Sequence, residues 1–318
     1  MRAVVITKTG PPEVLRVEER ADPRPGPGQV AIDVRAAGVN FADTMARVGL
    51  YPDAPDLPAV VGYEVAGVRA DTGERVLAAT RFGGYASRVV VGEEDILPLP
   101  DRLSFEQGAA VPVNYATAWA GLVRYGGLQA GERVLVQAAA GGVGIAAIQL
   151  ARRCGAEVYG AASPAKHDAV RAQGAIAVEY DARGLPKFDL VMDAIGGRSF
   201  RRSYDRLNPG GRLIAFGAAA VMSGEKRNLV SAARTAVRMP RFNLVKQMSA
   251  SKAVIGLNML RLWDHAGTLR PWIDPLVELM EDGTIQPVVA EAVPFDRAPE
   301  AHRIFAERRN VGKVVLVP

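Results

Sequence analysis

The chain has 318 residues, long enough to bury a large core and to form more than one domain, and its 49% hydrophobic and 23% charged residues exclude a disordered or fibrous protein. No stretch of about 18 apolar residues is present, and the lone cysteine, Cys154, excludes both an internal disulfide and a cysteine-built zinc site. The net charge of +5 is concentrated: Gly224 to Lys252 holds seven basic residues against Glu225, a local +6, which leaves −1 elsewhere and gives no expectation of nucleic-acid binding. Arg2 runs directly into a strand-like Ala3 to Thr7 with no signal-peptide pattern, so a cytoplasmic location is expected.

In chain order, MRAVVIT and VLRVEE predict strands, ADPRPGPGQ a Pro/Gly loop, and VAIDVRAAGV a further strand. A short helix is expected from Asn40 to Val48, then a proline loop from Tyr51 to Pro58. Strands follow at Val60 to Val68, Arg75 to Ala79 and Tyr85 to Val91. This is the pattern of a small irregular β-barrel without α/β alternation. Helices begin near Ser104, and from Arg133 strand and helix alternate: strands are predicted at Val134 to Gln137, Val158 to Ala162, Ala177 to Tyr180, Leu190 to Asp193, Arg212 to Phe216 and Val254 to Leu257. Such alternation predicts a doubly wound parallel sheet. After Asn258 the pattern gives one or two helices (Trp272 to Asp282), an extended Val288 to Val293, a helix from Ala298 to Arg308 and a last strand, Lys313 to Val317, expected to return to the N-terminal barrel.

The segment from Arg133 to Ser163 carries the most chemistry. A buried strand (Val134, Leu135, Val136) leads into Ala139, Gly141 and Gly144, which occupy the G-x-G-x-x-G spacing with alanine in the first place. Small residues there permit a tight turn, close approach of backbone to a pyrophosphate, and close helix–strand packing. A helical stripe of Ile145, Ile148, Leu150 and Ala151 ends at Gly155, so the N-terminus of this helix is expected to face the phosphates. NAD-binding units usually carry Asp or Glu after the second strand; here Ser163 stands there, with Lys166 and His167 beyond. A hydroxyl and an ammonium suit a 2′-phosphate, which a carboxylate would repel; the plain structural alternative for the two is a helix N-cap and a solvated charge.

With these residues in view, the sequence resembles the medium-chain dehydrogenase/reductases, in particular their zinc-free quinone oxidoreductase branch. The carriers are GVNFADTMARVGLYP (Gly38 to Pro52), VVGYEVAGV (Val60 to Val68), VPVNYATAWAGL (Val111 to Leu122), AAAGGVG, MDAIGG (Met192 to Gly197), LNPGGRLIAFG (Leu207 to Gly217) and GKVVL. Val113 to Tyr115 and Val254 to Trp263 are further similar to vesicle amine transport protein homologues and to polyketide-type enoyl reductases. The resemblance implies a discontinuous GroES-like barrel (1–112 and 259–318) around a Rossmann domain (113–258), an NADPH cofactor, and a homodimer formed by edge pairing of Rossmann sheets.

It also implies site residues. Ala140, Gly141, Gly142, Val143 and Gly144 would hold the pyrophosphate; Ser163, Lys166 and Tyr180 the adenosine end; Asn40, Thr117, Phe216, Gly217, Gly256, Leu257, Asn258 and Asn310 the rest of the dinucleotide. Tyr51 resembles the tyrosine at the mouth of the family's substrate site, where it either donates a proton or closes over the substrate. Zinc-dependent relatives carry cysteine where this chain has Asn40 and a histidine–glutamate pair where it has Tyr63 and Glu64, so no metal is expected. The implied reaction is hydride transfer to a quinone or an activated carbon–carbon double bond, with enoyl-thioester reduction, or a non-catalytic membrane- or partner-associating role, as alternatives. His265 and His302 read as surface or helix-end histidines, and Asp193 as a turn residue. Arg227, Arg234, Arg238 and Arg241 recur at near-helical spacing; residues 226–252 are either a solvated face or a weak contact for an anionic group or surface.

Overall fold

A computed structural model describes residues 1–221, 235 and 237–318. It divides into two compact units, Met1–Ala116 with Leu260–Pro318, and residues 117–221, 235 and 237–259.

The first unit begins with β1 (Arg2–Ile6), β2 (Leu15–Glu19), β3 (Gln29–Val39), α1 (Phe41–Arg47), β4 (Ala59–Val60), β5 (Glu64–Arg69), β6 (Arg75–Ala79), β7 (Arg88–Gly92) and β8 (Ile96–Pro98). Strand β1 lies antiparallel between β2 and β4. The long β3 alternates exposure up to Arg35 and is buried from Ala36 through Val39, the signature of a strand that begins at a barrel rim and ends under cover. Gly38 is required there: a Cβ would stand 2.5 Å from both the Ala109 carbonyl and the Glu64 carboxylate. Two short helices, α2 (Phe105–Gly108) and α3 (Pro112–Trp119), follow.

The second unit holds β9 (Arg133–Gln137), α4 (Gly142–Arg153), β10 (Glu157–Ala161), α5 (His167–Ala172), β11 (Ile176–Val178), β12 (Phe188–Asp193), α6 (Arg198–Asp205), β13 (Leu207–Ala215), α7 (Leu244–Ala250) and β14 (Ala253–Gly256). The strands run parallel in the order β11-β10-β9-β12-β13-β14, the doubly wound arrangement, with the direction of winding reversing between β9 and β12. Ile145, Ile148 and Leu150 are buried along α4, and such side chains stabilise by about 1.5–3 kcal/mol each when removed from water.

The chain then gives α8 (Met259–Ala266), α9 (Arg270–Ile273), α10 (Pro275–Glu281), β15 (Val289–Pro294), α11 (Ala298–Ala306) and β16 (Lys313–Val317). Strand β16 pairs parallel with β15 and antiparallel with β3. Phe295, Ile304, Val314 and Leu316 thereby enter the same core as Val4, Ile6, Ile32 and Val65. The protein is thus a GroES-like barrel plus a Rossmann-type parallel sheet. Among the described residues no helix is long and apolar enough to cross a membrane.

His302 corrects the expectation of a surface histidine. It is fully buried on α11, because that helix packs its inner face on the barrel and places the imidazole against Arg47 and Tyr85. Of the basic segment, residues 222–234 and 236 lie outside the described residues. Arg241 and Lys246 are exposed, whereas Lys252 turns inward, donating to the Tyr204 carbonyl at 3.3 Å with its ammonium 5.2 Å from the Tyr204 ring centre.

Candidate active site

Within the parallel sheet the nucleotide-binding candidates gather at one edge. Ala140 to Gly144 follow the end of β9, Ser163 to Lys166 the end of β10, Tyr180 the end of β11, Phe216 and Gly217 the end of β13, and Gly256 to Asn258 the end of β14. These are the carboxyl ends of parallel strands beside a winding reversal, where open α/β sheets bind ligands. The turn is tight: Ala138 adopts φ +55°, and a Cβ on Gly144 would lie 2.5 Å and 2.6 Å from the Ala138 and Ala139 carbonyls. Gly141 caps α4 in an extended conformation, leaving the first N–H groups of a twelve-residue helix to receive an anion. No carboxylate follows β10; Ser163 is exposed and Lys166 half-buried on a single helical turn. These residues fit a nicotinamide dinucleotide. Thr117 lies buried on α3. Asp193 is spent on its own loop, accepting from the Ile195 N–H and from the Ser199 and Ser203 hydroxyls, each at 2.7 Å.

In the barrel unit, Asn40 precedes α1 and sits in a charged, buried setting. Its Oδ1 accepts from Lys313 Nζ at 2.6 Å and its Nδ2 donates to Glu64 Oε1 at 3.1 Å. Lys313 and Glu64 form an ion pair, both essentially without solvent contact, and Glu64 Oε2 accepts from the Val113 N–H at 2.7 Å. Asn310 donates to the Gly312 carbonyl at 3.0 Å, just ahead of β16. Tyr51, half-buried, meets Tyr63 edge-on with ring centres 6.4 Å apart, and Tyr63 meets Phe82 at 5.4 Å. A chain of ion pairs ties the same segments together: Asp53 to Arg261 at 2.6 Å, Arg261 to Asp264 at 3.9 Å, Asp264 to Arg81 at 3.0 Å. Burial pushes the Tyr51 and Tyr63 phenols up from their ordinary values.

Behind Asn40 lies a second buried network. Asp43 accepts from the Asn40 N–H at 2.7 Å, from the Gly62 N–H at 3.1 Å and from the Tyr85 hydroxyl at 2.9 Å. Tyr85 also contacts His302 Nε2 at 3.4 Å, and Arg47 Nε donates to His302 Nδ1 at 3.2 Å. Because Nδ1 accepts, the imidazole is the neutral Nε2–H tautomer. Burial, and then the Arg47 charge, lower its pKa to about 3; burial raises Asp43 to about 7 despite its three donors.

The alcohol dehydrogenase GroES-like domain family matches residues 26–101, and the zinc-binding dehydrogenase family matches residues 167–316. The human synaptic vesicle membrane protein VAT-1 homolog is 36% identical over all of this chain and 86% of its own length. The polyketide synthase GfsB of Streptomyces halstedii is 37% identical over 91% of this chain, which matches 5% of that much larger protein. The quinone oxidoreductase of Thermus thermophilus, solved also with NADPH, superposes with a TM-score of 0.84 at 33% identity, covering each chain completely. The chain belongs to the medium-chain dehydrogenase/reductase superfamily.

For a medium-chain dehydrogenase/reductase, the metal question turns on the donor set. Asn40 and Glu64 already satisfy each other and Lys313, and the Tyr63 phenol is held far from ionisation. Among the described residues no three His, Cys, Asp or Glu side chains converge. These residues do not fit a catalytic zinc. Sequence reasoning passed over Lys313 and Glu64 as a pair, although a lysine opening the otherwise apolar strand KVVLV is a visible signal. Nothing local marks His302 as buried.

Proposed function

We propose that the protein is a zinc-independent, NADPH-dependent reductase that transfers hydride to a quinone or to an activated carbon–carbon double bond such as an enone or alkenal. The observation that carries the reading is the state of Asn40: where a metal-dependent relative would present a thiolate, this chain presents a neutral amide tied to an internal ion pair. NADPH, when bound, supplies the hydride. The chain's own residues then bind and orient: Ala140 to Gly144 at the pyrophosphate, Ser163 and Lys166 at the 2′-phosphate, Tyr180 at the adenine, and Asn40, Thr117, Phe216, Gly217, Gly256 to Asn258 and Asn310 toward the remainder. Tyr51, its phenol made a weaker acid by burial, serves as a gate, and solvent delivers the proton to the carbon next to the reduced one. A cytosolic setting and a homodimer through the outer strand β14 belong to the same reading.

Turnover with NADPH over 1,4-quinones, alkenals and enoyl thioesters tests it. Activity on quinones or alkenals supports the reading, activity on thioesters alone makes this a pathway-specific enoyl reductase, and nucleotide binding without turnover makes it a non-catalytic relative. The kcat/KM for NADPH should exceed that for NADH by at least about tenfold, and Ser163→Asp should narrow the gap; equal values remove the NADPH assignment. A weak anionic-surface contact is also proposed for residues 226–252, supported in the described part by exposed Leu244, Val245 and Met248 beside Arg241 and Lys246.

A further inference from the structure

Asp193, the last residue of β12, is fully buried, and Ser199 and Ser203 on α6 are buried with it. Its Oδ1 accepts from the Ile195 N–H at 2.7 Å and, at a longer 3.4 Å, from the Gly196 N–H; its Oδ2 accepts from the Ser199 and Ser203 hydroxyls, both at 2.7 Å. We propose that Asp193 is a positioning residue: by folding the loop 194–197 it sets the neighbouring loop 216–221, and so the hydride end of the dinucleotide site, without touching a ligand. The inference rests on the reading of Phe216 and Gly217 as residues of that end, and every group it uses lies in the parallel-sheet unit.

The loop 194–197 does not take its shape from ordinary backbone preference. Gly196 and Gly197 both adopt left-handed φ values, +79° and +58°, and Gly197, at the N-terminus of α6, has no side chain to offer the first N–H groups of the helix. Two N–H groups of the loop and two hydroxyls of the helix converge instead on one carboxylate, which ties the loop to the helix that follows it. With the loop closed in this way, its backbone oxygens face the next loop: the Asp193, Ala194 and Ile195 carbonyls accept from the Phe216, Ala219 and Ala220 N–H groups at 3.2, 3.0 and 2.8 Å. The two loops are also in close contact. A Cβ on Gly217 would stand 2.9 Å from the Ala194 carbonyl oxygen, and one on Gly196 3.1 Å from Ala218 Cα. A shift of 194–197 is therefore passed on to 216–221 rather than absorbed between them.

The same cluster reaches a third strand. The Ser203 hydroxyl donates to Asp193, and its oxygen lies 3.4 Å from the Gln137 amide nitrogen, at the end of β9 directly ahead of the glycine turn. Phe216 and Gly217 are partly accessible while Asp193, Ser199 and Ser203 are not, so a ligand meets the loop and never the carboxylate behind it. Misplacing a reacting group by about 1 Å costs on the order of a hundredfold in rate, so a residue that holds this loop matters without contact. None of the Asp193 bonds reaches the adenosine end, after β10 and β11.

That division supplies the test. Full-length Asp193→Ala, Asp193→Asn and the pair Ser199→Ala with Ser203→Ala are titrated with NADPH and with adenosine 2′,5′-bisphosphate, which probes the adenosine end alone. Asp193→Ala should raise the NADPH dissociation constant about tenfold or more and leave that of the bisphosphate within about twofold. Asp193→Asn keeps an acceptor for the Ile195 N–H and turns its amide to hydroxyl oxygens that can accept, so it should come within about threefold of wild type. If Asp193→Ala does not fold, the serine pair carries the same comparison, with the same pattern at about threefold. Unchanged NADPH affinity, equal weakening of both ligands, or an Asn variant no better than Ala would overturn the proposal.

A second readout needs no ligand. Backbone amide exchange at Ala219 and Ala220 should quicken about tenfold or more in Asp193→Ala, or in the serine pair, while Glu157–Ala161 of β10 stays within about twofold. Equal acceleration in both segments, or none in either, refutes the positioning role. A wild-type chain that binds neither NADPH nor NADH would sink the nucleotide reading, and the exchange comparison would still decide whether Asp193 holds the loop.

Discussion

Asp43 and His302 flank Tyr85, and their protonation acts on stability in opposite directions. Asp43, raised to about 7, keeps its proton in the folded chain where an unfolded carboxyl has lost it, so its contribution falls as pH rises from about 4 to about 7. His302, lowered to about 3, stays neutral where an unfolded imidazole is charged, so its contribution falls as pH drops from about 6.5 toward 3. Over the shared window the two offset each other. Asp43→Asn should therefore make stability rise more steeply with pH between 4 and 6.5, and His302→Phe should make it decline across the same range. Urea denaturation at several pH values checks both, and equal slopes in the two variants would contradict the argument. At the adjacent aromatic group, Tyr51→Phe should keep kcat within about threefold while raising KM for the acceptor; a loss of about a hundredfold or more in kcat would instead make Tyr51 the proton donor. At this scale the sequence was only partly legible. Asn40 and Tyr51 stand in long motifs, but the burial of His302 and the meeting of Lys313 with Glu64 depend on partners hundreds of residues away.

Elements were read more readily, because periodicity reports which face of each segment is covered. The strand–turn–helix–strand from Arg133 to Ala161 lies where its glycine spacing puts it, and the loop residue Tyr180 falls just beyond the shorter strand Ile176–Val178. The helix α4 is held by two things that a single variant can separate. Ile148→Ala should lower stability by about 2–5 kcal/mol while leaving nucleotide affinity nearly unchanged, since it empties space in the core. Gly144→Val should do the reverse in emphasis: its Cβ has no room between the Ala138 and Ala139 carbonyls, so the turn must open and NADPH affinity should fall by more than about tenfold. Calorimetry with and without NADPH distinguishes the two. Helix α7 was harder to read, since Leu244, Val245 and Met248 point outward while Phe242, ahead of it, packs on Tyr204.

For the whole molecule, the return of the chain to its first unit is the dominant fact. The segment from β15 to β16 supplies Val293, Phe295, Ile304, Val314 and Leu316 to a core whose other half is built before Ala116. A fragment ending at Ala116 should therefore remain unfolded, and joining residues 260–318 to it through a flexible linker should restore folding; circular dichroism of both fragments is the check, and a folded short fragment would contradict it. The last strand also governs timing. At about 5–20 residues per second, the roughly 200 residues separating Ala116 from Lys313 take on the order of 10–40 s to synthesise. Throughout that interval Asn40 lacks its ammonium partner and Glu64 its counter-ion, and for the last part of it the parallel sheet is already fully synthesised while the barrel unit still lacks β16. On the proposed reading, such an order of assembly leaves the surroundings of Asn40 incomplete until β16 is laid down, making that strand a maturation step as well as a structural one.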